Sequence, residues 1–281
     1  MNDPSLSGKT AIVTGAGSGL GRAMTLALAD AGCNVAGVDS DEDRLAQLVG
    51  DVGNSPGIVH AIVQDLTAPD CGTVVLLQAL ATFDAVDALV NNAGVSTAII
   101  RANFRREPVK FWEVPGDKWD AMFAINAKAA FLLAKEAVPY MIERGWGRVV
   151  NVTTSLDTMI RPFWTPYGPS KAALEAASAN WAGDLKDTGV TVNVLIPGGP
   201  ANTNFVPGIS EEERAKLVPP IVMAEPIKWL LSEKSDGVTG RRFLAHLWDT
   251  SLPPETAAEQ ASAPIAWQSL GVQSATEPVP N

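Results

Sequence analysis

The stretch Thr14-Gly15-Ala16-Gly17-Ser18-Gly19-Leu20-Gly21 restricts the fold more than any other part of this chain. Before it, Lys9 to Thr14 is a short apolar run rich in β-branched residues. After it, Leu20 to Ala31 follows a helical pattern. A buried strand, a glycine turn and a helix in that order open a βαβ unit. Glycines let backbone approach a pyrophosphate closely, and the free N–H groups and partial positive charge of the following helix N-terminus face it. Taken alone the loop is equally a plain turn. The spacing Gly-x-Gly-x-x-Gly is not met, because Leu20 and Arg22 stand where its third glycine belongs; Thr-Gly-x-x-x-Gly-x-Gly is met, with Gly15, Gly19 and Gly21. Gly15, Ser18, Gly19, Leu20 and Gly21 are therefore expected to contact a dinucleotide.

Further strands can be read downstream, each ending in residues suited to the same ligand. Asn34 to Val38 ends at Asp39, whose carboxylate can accept hydrogen bonds from both ribose hydroxyls of NAD and would repel the 2′-phosphate of NADP. Ser40, Asp41 and Glu42 supply no cation to reverse that preference, so NAD is the expected cofactor. An aspartate in this place is also a common helix cap. A strand around Gly57 to Gln64 leads to Asp65 and Leu66, placed to meet the adenine edge, although Asp65 could instead cap a helix at Pro69. Val86 to Val90 runs into Asn91-Asn92-Ala93-Gly94, where Asn92, Ala93 and Gly94 would let the cofactor lie against backbone. Val190 to Ile196 is broken by Pro197-Gly198-Gly199-Pro200 at the edge where open α/β sheets bind ligands, which adds Pro197 and Gly198. Arg242 to Leu247 is read as a final strand.

With 281 residues, 46% of them hydrophobic, the chain can bury a large core in one domain. A formal charge of −10 without a lysine or arginine cluster argues against nucleic acid or an anionic membrane as partner. Cys33 and Cys71 have neither metal-ligand nor disulfide-framework spacing, so no metal is expected and a reducing cytoplasm fits. Met1 to Gly8 has no basic start or apolar core, and no apolar run approaches the roughly 20 residues of a membrane span.

The chemistry is expected at Tyr167-Gly168-Pro169-Ser170-Lys171, at the start of a helix running to about Asp187. Residues four apart share a helix face, so the phenol of Tyr167 and the ammonium of Lys171 project side by side. A free phenol has a pKa of roughly 10, and an adjacent cation lowers such a value by roughly 1 to 3, into the range of a general acid or base. Such pairs also occur as ordinary surface neighbours.

TGAGSGLG, NNAG, Asn126 in FAINAKAAF, YGPSK and PGGP together resemble the short-chain dehydrogenase/reductase family, in that family's order, from about Lys9 to about Trp248. The resemblance implies an α/β fold: a Rossmann-like, doubly wound parallel sheet of about seven strands with helices on both faces. It implies a catalytic domain over residues 1–249, followed by an extension over 250–281. It also implies hydride transfer between a secondary alcohol or ketone and the nicotinamide of NAD, with Tyr167 as general acid/base. Lys171 would grip the nicotinamide ribose, Asn126 would hold a water relay behind the lysine, and Thr203 would reach the carboxamide. A homotetramer or homodimer built through the helices of Asn126 and Tyr167 is implied as well.

The chain departs from the family where a serine usually stands thirteen residues before the tyrosine: spacing favours Thr154, residue type favours Ser155, and either hydroxyl can hold a substrate oxygen. The alternatives are a non-catalytic NAD(H)-binding regulatory protein of the same fold, and an epimerase or dehydratase that returns the hydride to its substrate. Arg101, Phe104, Arg105, Arg106, Phe111 and Trp112, with Arg161, Phe163 and Trp164, are compatible with a pocket for a ring-bearing, anionic substrate and equally with ordinary packing. Ser210 to Leu217 reads as a lid. The Ala, Pro, Ser and Glu-rich segment after Asp249 reads as solvated, although Leu252, Ile265, Trp267 and Leu270 could dock it over the site or on a second subunit.

Overall fold

A computed structural model describes residues 5–267 of the chain. In order, they form β1 (Thr10–Thr14), α1 (Gly19–Asp30), β2 (Asn34–Asp39), α2 (Glu42–Val52), β3 (Val59–Val63), α3 (Cys71–Phe83) and β4 (Ala88–Asn91). Next come α4 (Gly116–Phe123), a π-helical turn (Ala124–Lys128), α5 (Ala129–Glu143), β5 (Gly147–Val152), α6 (Leu156–Ile160), α7 (Tyr167–Asp184) and β6 (Val190–Ile196). The last are α8 (Glu211–Ala215), α9 (Ala224–Leu230), β7 (Arg241–Leu244), α10 (Pro254–Gln260) and β8 (Ser262–Pro264).

The strands form one sheet in the order β3-β2-β1-β4-β5-β6-β7-β8. All neighbours are parallel except β8, which runs antiparallel to β7. Both faces are buried, which is why the central strands read as unbroken apolar runs rather than alternating ones. Ala11 and Val13 of β1 point into one core layer with Met24 and Leu28 of α1 and Ile227 of α9, while Ile12 points into the other with Val75 of α3 and Leu133 of α5. Each such side chain contributes roughly 1.5 to 3 kcal/mol of burial. The chain steps outward from β1 through β2 to β3 and then returns to place β4 on β1's other side. The two strand ends therefore part into a crevice, which is where this architecture takes its ligands.

The expected seven strands are eight, and the segment expected to be solvated supplies the last. Ile265 is fully buried among Val194, Ile196 and Leu244, and Ala257, Ala258 and Ala261 are buried too. A three-residue strand ending in proline has almost no signal of its own; it forms because β7 offers an open edge. The packed chain thus continues past the expected boundary at residue 249. This segment lies at the sheet edge opposite β3 and does not line the cleft described below; Leu270 lies outside the described residues. Among the described residues no helix is long and apolar enough to cross a membrane.

Candidate active site

A cleft of about 1280 Å³ follows the carboxyl ends of the parallel strands. At its floor the loop after β1 turns with Gly15 at φ +64° and Gly19 at φ +54°, a region that disfavours any side chain. A Cβ on Gly15 would stand 2.9 Å from Asn92 Nδ2, and one on Gly19 would stand 2.8 Å from the methyl of Thr203. Gly15, Ser18, Gly19, Leu20 and Thr203 all line the cleft. Gly21 does not: its Cα packs on the loop, where a Cβ would fall 2.1 Å from the Gly15 carbonyl. It serves the fit of helix to loop.

The crevice between β1 and β4 is held by side chains. Thr14 Oγ1 accepts the N–H groups of Asn92 (2.9 Å) and Ala93 (3.0 Å), and Asn92 Nδ2 donates to the Thr14 carbonyl at 2.9 Å. Asp39, at the end of β2, accepts from Gly17 N (3.0 Å) and Asp41 N (3.2 Å), which fixes its carboxylate over the glycine loop. Arg44 also lines this end of the cleft, paired with Asp41 at 3.0 Å. Arg44 lies two residues beyond Glu42, and the first turn of α2 brings it back to the cleft. Leu66 lines the cleft with Gln64, but Asp65 between them does not. Its carboxylate accepts from Thr67 N and Oγ1, both at 2.8 Å, and these bonds hold it below the usual carboxylate range. It therefore makes a local turn and does not cap α3, which starts at Cys71. Asn92, Ala93, Gly94, Pro197 and Gly198 also line the cleft.

Deeper in, Tyr167 and Lys171 occupy consecutive turns of α7, both buried. The Lys171 ammonium donates to the Val152 carbonyl at the end of β5, at 2.9 Å. Asn126 sits in the π-helical turn, which rotates its side chain inward. Its Oδ1 accepts from Val95 N (2.8 Å), and its Nδ2 donates to the Val95 carbonyl and to Ser170 Oγ (both 3.0 Å). Asn126 thus ties the residue after the NNAG turn to α7. A Cβ on Gly94 would meet Asn126 Oδ1 at 3.1 Å and Lys171 Nζ at 3.5 Å, so this glycine lies beside both side chains.

The two hydroxyl candidates separate cleanly. The Thr154 side chain hydrogen-bonds the Tyr167 hydroxyl, whereas Ser155 Oγ pairs with Thr158 Oγ1 at 2.7 Å at the start of α6. Spacing therefore outweighs residue type. The electrostatics differ from expectation. Burial pushes the Tyr167 phenol up to about 12, with the Thr154 bond pulling the other way. Burial also pushes Lys171 down to about 8. Removing water penalises both charged forms.

Aromatic rings enclose the reacting end. Trp164 packs against Phe104 and against Tyr167, with centroids 5.8 Å apart in each pair, and Phe205 meets Tyr167 from the other side at 5.7 Å. Phe104, Arg105, Arg161, Phe163 and Trp164 line the cleft, and Arg161 is paired with Asp157. Phe111 and Trp112, for which pocket and ordinary packing stood level, pack on each other at 68% exposure each, and Arg101 and Arg106 are engaged with Glu113 and Glu213. The segment read as a lid contains α8, closed by reciprocal bonds between Ser210 and Glu213. None of its residues lines the cleft, whereas residues 197–201 and 203–206 do. Arg214 joins the two by donating to Asn202 Oδ1 (3.1 Å), the Thr203 carbonyl (3.4 Å) and the Val206 carbonyl (3.3 Å).

A family model described as short chain dehydrogenase matches residues 9–214. The 3-oxoacyl-[acyl-carrier-protein] reductase FabG of Thermotoga maritima is 31% identical over 244 residues, covering 84% of this chain and 95% of that protein. The 3-ketoacyl-(acyl-carrier-protein) reductase of Brucella melitensis, solved with NADH, superposes with a TM-score of 0.73 at 25% identity over 85% of this chain and 97% of its own. A gluconate 5-dehydrogenase of Beutenbergia cavernae, described as putative and NAD(P)-dependent and solved with NADP, gives a TM-score of 0.74 at 29% identity over 85% and 95% of the two chains.

Proposed function

The chain belongs to the short-chain dehydrogenases, oxidoreductases acting on CH–OH or carbonyl groups with a nicotinamide cofactor, and from that premise we propose that it interconverts a secondary alcohol and its ketone using NAD. The observation that carries this reading is that Tyr167, Thr154 and Lys171 line the same cleft as the glycine loop and Asp39, with the Tyr167 hydroxyl bonded to Thr154. Bound in this cleft, the dinucleotide would supply or accept the hydride. Thr154 holds the substrate oxygen and Tyr167 exchanges a proton with it. The raised pKa keeps Tyr167 protonated, ready to donate to a carbonyl oxygen; oxidation of the alcohol needs the phenolate and gains with rising pH. Lys171 and Asn126 hold the ribose end and the polar path behind it. Phe104, Trp164 and Phe205 surround the reacting position with ring faces and edges, so the substrate carries a ring.

Formation of NADH with matched pairs of secondary alcohols, 1-phenylethanol against 2-octanol among them, tests both parts. The cyclic member is expected to show a kcat/KM about tenfold higher, roughly what one aromatic contact contributes. Equal values would remove the ring assignment. NAD binding without turnover across a broad panel would favour a redox-reporting protein.

NAD is preferred over NADP because the fixed Asp39 carboxylate stands at the end of β2, where a 2′-phosphate would meet it, while Arg44 is held by Asp41. Fluorescence titration is expected to show NADH binding at least about tenfold tighter than NADPH, about 1.4 kcal/mol. Asp39→Ser should narrow the gap. Tighter NADPH binding by the unaltered protein would instead make Arg44 the deciding residue. The same reading makes the working protein a cytoplasmic homodimer or homotetramer through the helices around Asn126 and Tyr167. Trp119 of α4 and Phe131 of α5 are 40% and 50% exposed there, and sizing in solution is the check.

A further inference from the structure

Behind the catalytic helix lies a buried ion pair that the chemistry above does not use. Glu175, one turn beyond Lys171, is fully buried, and its Oε1 accepts from Arg242 Nε of β7 at 3.0 Å. Its other oxygen, Oε2, accepts from Thr153 Oγ1 at 2.7 Å. Oε1 also accepts the backbone N–H of Ala266, in the segment after β8, at 3.0 Å. Arg242 Nη2 donates in turn to the Thr154 carbonyl at 2.9 Å. The pair therefore grips two successive residues, by the side chain of one and the backbone of the next, just where β5 has ended at Val152 and ladder bonding no longer holds the chain.

We propose that Glu175 and Arg242 are positioning residues that orient the Thr153–Thr154 step so that the Thr154 hydroxyl points at Tyr167, with the segment around Ala266 completing their shell. This rests on the reading of Thr154 as the group that holds the substrate oxygen. Stability alone does not account for the pair. Two charges taken from water gain little over well-packed apolar side chains, and Val194, Ile196 and Ile265 nearby show that the region packs apolar groups readily. What the pair supplies is direction: a planar guanidinium and a carboxylate with fixed lone pairs can specify a carbonyl and a hydroxyl together.

The test compares the full-length protein with E175L/R242M, which removes both charges at once and so leaves none unpaired. Two readouts are needed. The first is turnover of an alcohol that the unaltered enzyme oxidises: kcat is expected to fall roughly ten- to a hundredfold, the scale of a small misplacement at a reacting centre, while NADH affinity stays within about twofold. The second does not need turnover. The chain has only two tyrosines, Tyr140 and Tyr167. NMR of isotope-labelled tyrosine therefore gives two ring signals, and that of Tyr167 is expected to move towards its position in T154V. R242K, which keeps the charge but not the fork, should lie between. An unmoved Tyr167 signal or an unchanged kcat in E175L/R242M overturns the proposal, as does a joint loss of NADH binding and folding. If the Tyr167 signal moves but the unaltered protein oxidises no alcohol, the positioning role stands and the assigned reaction fails.

Discussion

Tyr167→Phe is expected to lower turnover by about 10²- to 10⁴-fold, equivalent to roughly 3 to 5 kcal/mol of transition-state stabilisation, without weakening NADH binding. The substitution keeps the ring that packs between Trp164 and Phe205 and removes only the hydroxyl that meets Thr154. Loss of that one bond costs about 1 kcal/mol of stability, so the variant should fold and the two effects can be separated. No other phenol is available: Tyr140 is on α5, and its hydroxyl reaches the Asp84 carbonyl at 3.4 Å, away from the cleft. The measurement is kcat and KM on an alcohol from the panel beside a fluorescence titration with NADH. Undiminished oxidation would end the assignment of Tyr167 as proton donor and acceptor.

Lys171→Met is expected to abolish turnover and yet stabilise the ligand-free protein near neutral pH. Burial holds the folded Lys171 at about 8, against 10.5 for an unperturbed lysine. The unfolded chain therefore binds this proton more tightly than the folded one. The resulting penalty on folding is complete below about pH 8, shrinks as pH rises and is gone above about 10.5. Its size is about 3 kcal/mol. Loss of the hydrogen bond to the Val152 carbonyl returns roughly 1 kcal/mol of it, leaving a net gain near 2. Urea unfolding of both proteins near pH 7 and near pH 10.5 measures the difference. Tyr167 also titrates above neutrality, but it is present in both proteins and largely cancels. The variant should be the more stable at the lower pH and lose that advantage at the higher. A variant less stable at both would show that the ammonium is better solvated in place than its burial indicates. A protein that keeps a lysine at such cost keeps it for function, in line with the conflict between stability and activity found at catalytic sites.

What consecutive residues encode could be read without coordinates. β6 occupies Val190–Ile196 as expected, and the glycine loop, Asp39 and the Asn92 turn stand where their strands deliver them. A buried strand needs an apolar run, and a turn against a phosphate needs glycine; both requirements act over a few neighbouring positions. Thr154 was separable from Ser155 only by knowing that α6 starts at Leu156 and draws Ser155 to Thr158. Asp65 bonds Thr67 two residues on, a turn that its spacing to Pro69 did not single out.

The remainder depends on distance across the fold. Arg242 meets Glu175 across 67 positions of sequence and the Thr154 carbonyl across 88, and neither contact leaves a local pattern. The eighth strand exists because β7 had an unpaired edge. The proton affinities of Tyr167 and Lys171 follow from the exclusion of water by residues from several elements, so their spacing on α7 placed them together but could not set their charge. The sequence by itself determined the sheet, the nucleotide crevice and the pairing of phenol with ammonium; packing alone decided which hydroxyl faces the phenol, what holds it there and how readily each group gives up its proton.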